Sequence, residues 1–227
     1  MPLQSWLQRV ALIRSMHAVY LHGFASSARS SKAVYFRDHL AVRGVALHTP
    51  DFNEPDFAGL TISRMLAQVS EMIGRLPDGP VALIGSSLGA FVAVQAWRQI
   101  PQRVDRLVLL APALDFSANR LRDLGDRSVD EWRRTGELNV FHYGFGRVMP
   151  VGYALYTDAA QYDSYNARVD VPVQIFQGER DVAVSPESVR RWSATRPNVE
   201  LHMLDDDHQL LASLEYIWKE MVRFLGV

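Results

Sequence analysis

The chain has no cysteine. That absence removes disulfides, thiolate-bound zinc, iron–sulfur clusters and thiol nucleophiles together. Any covalent chemistry must run through another side chain. The absence is also compatible with a reducing cytoplasm. An excess of either charge is lacking too: 24 Lys and Arg face 25 Asp and Glu, for a formal net charge of −1. No global field draws in nucleic acid or anionic lipid, so neither is expected as a partner. No apolar run approaches the roughly 18–20 residues needed to cross a bilayer, and stable membrane insertion is not expected. Internal repeats and low-complexity stretches are missing as well. What is present is 227 residues with 48% hydrophobic and 22% charged side chains, the profile of one well-buried domain.

Acidic residues are missing from the start of the chain, where none precedes Asp38. Trp6, Leu7, Val10 and Ile13 fall at helical spacing, with Arg9 and Arg14 among them. Residues 1–16 read as an N-terminal extension or a helix packed on the domain, or as the result of a start codon upstream of Met16. A basic amphipathic targeting presequence is the alternative. The expected location is the cytoplasm, with an organelle as the alternative that this segment raises.

From Met16 onward the chain alternates between two periods. Residues 17–24, 45–50, 80–85, 106–114, 171–178 and 199–204 are short apolar runs and read as strands. Helical patterns fill the gaps at 29–43, 62–76, 88–99, 186–195 and 209–225. In the second of these, Ile62, Met65, Leu66, Val69, Met72, Ile73 and Leu76 form one stripe closed by Pro77. Strand–helix–strand repetition with strands buried on both faces implies a mostly parallel sheet of about six strands flanked by helices. In such α/β sheets the ligand site lies beyond the carboxyl ends of the strands.

One segment departs from this rhythm. Residues 115–165 show no strand pattern and are dense in aromatics, and they read as an ordered, helical lid or cap inserted after the fourth strand. Ser128 and Glu131 have the spacing of a capping box, and Gly144 and Gly146 flank Phe145 in a turn. The core is then 17–114 with 166–227. Trp132, Phe141, Tyr143, Phe145 and Tyr153 are candidates for a substrate pocket under the lid, or for packing against the sheet.

The strongest motif is Gly85-Ser86-Ser87-Leu88-Gly89, between the third strand and an apolar helix. A nucleophile thrust from so tight a strand–turn–helix bend needs small neighbours, which Gly85 and Gly89 supply. Ser87 then stands at a helix N-terminus, where unpaired N–H groups favour developing negative charge. Serine needs a base to take its proton. His208 follows the last strand and so falls on the same sheet edge as Ser87. His17, His39, His48 and His202 sit within strands or helices and read as packed or solvated. His142 lies in the lid, where nothing in the sequence positions it. A base in turn needs a carboxylate to hold its tautomer. Asp181 stands between a strand end and a helix opened by Ser185 and Pro186. Glu179 is its nearest rival, followed by Asp205, Asp206 and Asp207. His22-Gly23-Phe24 closes the first strand, and Gly23 lets the backbone turn across the pocket. The N–H groups of Phe24 and Leu88 can then converge on a substrate oxygen, with His22 bracing the loop.

The chain order Ser87, Asp181, His208 is that of the α/β-hydrolase superfamily, and residues 17–227 resemble it. The stretch HGFASSARSSKA (22–33), GSSLGA and the missing first two strands of that fold resemble small bacterial serine esterases and acyl thioesterases. Glu131-Trp132 through Gly136 is similar to the lid of some depalmitoylating thioesterases. The resemblance implies about six strands with the lid after the fourth.

The expected function is serine hydrolysis of small-molecule carboxylic esters or thioesters through an acyl-enzyme, with no metal or organic cofactor. Cleavage of a carbon–carbon bond or an amide on the same triad is an alternative within enzymes. A non-catalytic ligand-binding module is the alternative outside them, and its signature would be a damaged triad.

Overall fold

The computed structural model describes residues 16–116 and 129–227. The N-terminal amphipathic pattern and the Ser128 half of the capping box lie outside the described residues.

Six strands form one parallel sheet: β1 (His17–Leu21), β2 (Leu47–His48), β3 (Val81–Ser86), β4 (Val104–Leu110), β7 (Val173–Gly178) and β8 (Val199–Leu204). Their spatial order is β2-β1-β3-β4-β7-β8, and every adjacent pair is parallel. The connections run through helices α1 (Ser31–Val42), α2 (Ile62–Arg75), α3 (Leu88–Gln99), α6 (Pro186–Ala194) and α7 (Leu214–Leu225).

The centre of the sheet is apolar on both faces because β1 and β3 are buried almost throughout, whereas the edge strand β8 alternates Glu200 and His202 with apolar residues. In β1, Ala18 and Tyr20 belong to the core under α1 and α7, together with Phe36, Leu40, Ile217 and Met221. Val19 and Leu21 point the other way, into the larger core with α2, α3 and α6, where Met65, Val69, Phe91 and Trp192 sit. The helix starts follow from short polar side chains. Ser30, Thr61 and Ser185 each accept a backbone N–H three residues on, and Pro186 occupies the first turn after Ser185.

Some boundaries move. The second strand shrinks from 45–50 to two residues, because the Val45 N–H still closes helix α1 on the Leu40 carbonyl and Pro50 has no N–H to give. The last helix begins at Leu214, five residues later than its apolar pattern. Residues 209–213 form a loop with Leu210 at φ 55°, held where the Ser213 N–H donates to Asp206.

The larger correction concerns the segment between β4 and β7, which the sequence reads as helical and free of strands. It carries an antiparallel hairpin, β5 (Glu137–His142) with β6 (Arg147–Gly152), between two short helices, α4 (Val129–Thr135) and α5 (Ala154–Ala159). The aromatic density hid a period of two: Leu138 and His142 are buried while Glu137, Asn139 and Phe141 face out. The Gly144–Gly146 turn is present, with Gly146 at φ 64°. Leu138, Val151, Leu155 and Ala159 continue the core over α2 and α3, so the insertion shares the interior of the domain.

Candidate active site

The strand order lays β1 beside β3 in register, Leu21 opposite Gly85, so the Gly23-Phe24 turn and Ser87 leave the same edge together. Ser87 stands between β3 and α3 at φ 54° and ψ −114°, a backbone strained for any residue with a side chain. The glycines are required by close approach. A Cβ on Gly85 would lie 2.5 Å from the Gly89 carbonyl oxygen, and one on Gly89 would lie 2.0 Å from that of Leu21. Strand, elbow and helix can meet only if neither residue has a side chain. Ser86 is buried, so the free position of the motif points inward.

Ser87 Oγ lies 3.1 Å from His208 Nε2, and His208 Nδ1 lies 2.8 Å from Asp181 Oδ2. A carboxylate only accepts, so Nδ1 carries the hydrogen and Nε2 offers its lone pair to the Ser87 hydroxyl. Asp181 is buried, and its other oxygen accepts the N–H groups of Ala183 (2.8 Å) and Val184 (2.7 Å). Burial alone would raise the Asp181 pKa. The hydrogen bond and charge of His208, the Val184 N–H and the Gln177 amide together hold it below the ordinary carboxylate value.

Glu179 turns outward to Arg190, 2.7 Å away. Asp205 pairs with Arg180, Asp206 accepts from Ser213, and Asp207 accepts from the Gln209 N–H, so none of these carboxylates reaches His208 Nδ1.

The other histidines have separate places. His22 is buried; its Nδ1–H donates to the Gly23 carbonyl (2.9 Å), and its Nε2 accepts the Phe52 N–H (3.0 Å). A Cβ on Gly23 would come within 3.3 Å of Ser87 Cβ, so the turn lies directly against Ser87. Leu88 is the first residue of α3, where no preceding turn supplies an acceptor for its N–H. His39 stacks on Tyr35, and His202 bonds Glu200 and Tyr216. Glu200, His202 and Glu220 bring three donor atoms within 4.8 Å of one another. Arg223 already pairs with both carboxylates there, so the cluster reads as a salt-bridged patch.

The five aromatics proposed for a pocket do not form one wall. Trp132 is interior, its indole N–H donating to the Val151 carbonyl (3.1 Å) and its ring packed edge-on to Tyr153 and Tyr156. Phe141 and Tyr143 pair on the exposed side of the hairpin, and Phe145 stacks on His142. Phe24 instead neighbours Phe57 and Phe116, both buried, neither among the five pocket candidates.

Gln177 was equally silent. It is a fully buried amide whose Nε2–H donates to Asp181 Oδ2 at 2.9 Å. The available signal was a pair of glutamines, Gln174 and Gln177, in a strand buried along its whole length, with Gln177 the one nearer the carboxyl end.

A parallel sheet in this order, with a strained serine on the β3–α3 elbow and a histidine after the last strand, defines a member of the α/β-hydrolase superfamily. Within it the chain belongs to the uncharacterised protein family UPF0227, whose model matches residues 17–226. It is similar to the mitochondrial palmitoyl-protein thioesterase ABHD10 of Rattus norvegicus, 22% identical over 174 residues. That match covers 73% of this chain and 59% of the relative, so the chain spans less than two thirds of the relative's length. Among solved structures, mouse alpha/beta hydrolase domain-containing protein 10 superposes with a TM-score of 0.77 at 21% identity, covering 92% of this chain and 89% of that one. Est1E from Butyrivibrio proteoclasticus with ferulic acid bound gives 0.78 at 18% identity, covering 94% and 91%. These two share the fold.

Proposed function

We propose that the protein is a serine hydrolase of carboxylic esters or thioesters. The observation that carries this reading is the unbroken chain from Ser87 Oγ through His208 to the buried Asp181, with contacts of 3.1 and 2.8 Å. His208 Nε2 takes the hydroxyl proton as Ser87 Oγ attacks the acyl carbon. The Phe24 and Leu88 N–H groups receive the negative charge that develops on the acyl oxygen. Collapse expels the alcohol or thiol, protonated by His208, and leaves an acyl-serine. Water, deprotonated by the same nitrogen, attacks that ester and releases the acid and free Ser87. Asp181 stays ionised throughout and stabilises the imidazolium.

Similarity to a thioesterase favours acyl esters and thioesters over amides or carbon–carbon bonds as the scissile group. The intact hydrogen-bond chain argues against a purely binding role. Residues 115–165 are read as a cap beside this site. The test is a panel of p-nitrophenyl esters and acyl thioesters of graded chain length. Ser87→Ala should lower turnover by at least about 10³-fold, about 4 kcal/mol or more of transition-state stabilisation, with the fold unchanged by circular dichroism. Wild-type turnover in Ser87→Ala would overturn the reading.

A further inference from the structure

The hairpin meets the turn that follows β1 through one polar hub. Asn53 is buried in the loop after β2. Its amide nitrogen donates to the Ser26 carbonyl (2.9 Å) and to Asp51 Oδ1 (2.8 Å). Its amide oxygen lies 2.9 Å from Nε2 of His142, the last residue of β5. His142 is fully buried. Its Nδ1 accepts the Phe145 N–H (3.2 Å), so Nε2 carries the hydrogen and donates to Asn53. Burial holds the His142 pKa below its ordinary value, which favours the neutral ring this pattern needs. At the hairpin tip the Gly144 N–H donates to the Ala25 carbonyl (3.3 Å). A Cβ on Gly144 would come 3.0 Å from Ser27 Cβ, so the tip lies against residues 25–27.

The segment thus gripped is strained. Ala25 sits at φ 52°, a conformation that alanine adopts only when its surroundings impose it. Immediately before it, the Gly23 carbonyl accepts both the His22 Nδ1–H (2.9 Å) and the Ser26 N–H (3.3 Å). A trans peptide sends its C=O and N–H in opposite directions. Anchoring the Gly23 carbonyl therefore aims the Phe24 N–H away from that anchor.

We propose that Asn53 and His142 are positioning residues for the oxyanion pocket, through which the β5–β6 hairpin clamps residues 23–27 and holds the Phe24 N–H on its target. The catalytic half of this proposal rests on the acyl-enzyme reading above. The hairpin is then a fixed part of the machinery, and what the sequence reads as a lid includes a brace.

The test has two arms. In turnover, Asn53→Ala and His142→Leu should each lower kcat about tenfold with KM within about twofold, since a misaimed donor is missed mainly in the transition state. His142→Gln, which keeps an amide N–H near the position of Nε2, should recover most of the loss. The double variant should cost no more than the worse single one. The second arm needs no turnover. NMR-detected amide exchange of Ser26 should accelerate at least about tenfold in His142→Leu, although Ser26 lies on a different segment, together with Gly144. If His142→Leu does not fold, Asn53→Ala cuts the same bond from the other side.

An unchanged kcat in folded variants, or a loss confined to KM, would overturn the catalytic role. A Ser26 amide that stays protected while the hairpin loosens would overturn the clamp. A wild-type protein without turnover would overturn the hydrolase reading and the catalytic half with it, and exchange would still decide the mechanical half.

Discussion

Glu179 and Asp181 are two residues apart on one loop, and from the sequence either could orient His208. Their surroundings separate them. Glu179 is exposed and paired with Arg190, while Asp181 is buried with its oxygens accepting from His208, Gln177, Ala183 and Val184. Asp181→Asn should lower kcat about 10⁴-fold by upsetting the tautomer of the base, whereas Glu179→Gln should stay within about twofold. A larger loss in Glu179→Gln would reverse the assignment. Asp181 is held below the ordinary carboxylate value by the His208 hydrogen bond and charge, the Val184 N–H and the Gln177 amide, against the opposing effect of burial, so the partner of His208 Nδ1 is a carboxylate. The pair Ser87 and His208 was legible because a glycine-framed elbow and a lone histidine after the last strand are local patterns. Gln177 and Asn53 were not, because an amide's role depends on partners brought in from other strands.

At the scale of elements, the six strands and five connecting helices were readable because short apolar runs alternate with helical patterns along the chain, although β2 keeps only two residues of its run. The hairpin was not. Its β5 strand alternates in burial, but aromatics such as Phe141 and Tyr143 stand on its exposed side, where apolar content misleads. Trp132 shows the converse. It was a pocket candidate, yet it is 2% exposed and bonded to the β6 backbone at Val151. Trp132→Ala should cost about 3–5 kcal/mol of stability, and Phe141→Ala, half-exposed, no more than about 0.5 kcal/mol. Urea unfolding checks both. A Trp132→Ala variant of native stability with altered acyl-length preference would return Trp132 to the pocket.

At the scale of the whole molecule, one buried cation ties the first connecting helix to the loop that carries His208. Lys32, 7% exposed, donates from Nζ to the Gln209 carbonyl at 2.7 Å. Burial lowers its pKa from 10.5 to about 8, against the opposing pull of Asp207, Asp206 and Asp181. Below pH 8 both folded and unfolded chains hold this proton, and the cost of burying it is at its greatest. Between pH 8 and 10.5 the unfolded chain binds more protons, so this group's contribution to stability rises with pH. The stability of Lys32→Met relative to wild type should therefore be greater at pH 7 than at pH 9.5, by about 2 kcal/mol. A difference that does not change with pH would show that Lys32 is not titrating from a buried position. Among the described residues no helix is long and apolar enough to cross a membrane.

The strand order also governs when the site can exist. Ser87 and His208 are 121 residues apart, and the Gly23-Phe24 turn lies earlier still, after the strand beside Ser87. During synthesis, the elbow, the turn and most of the sheet can assemble while His208 has yet to be made. Long-range parallel pairing is also slow relative to local structure. On the proposed acyl-enzyme reading, catalytic competence arrives last, and chains cut short before residue 208 carry Ser87 with nothing to activate it.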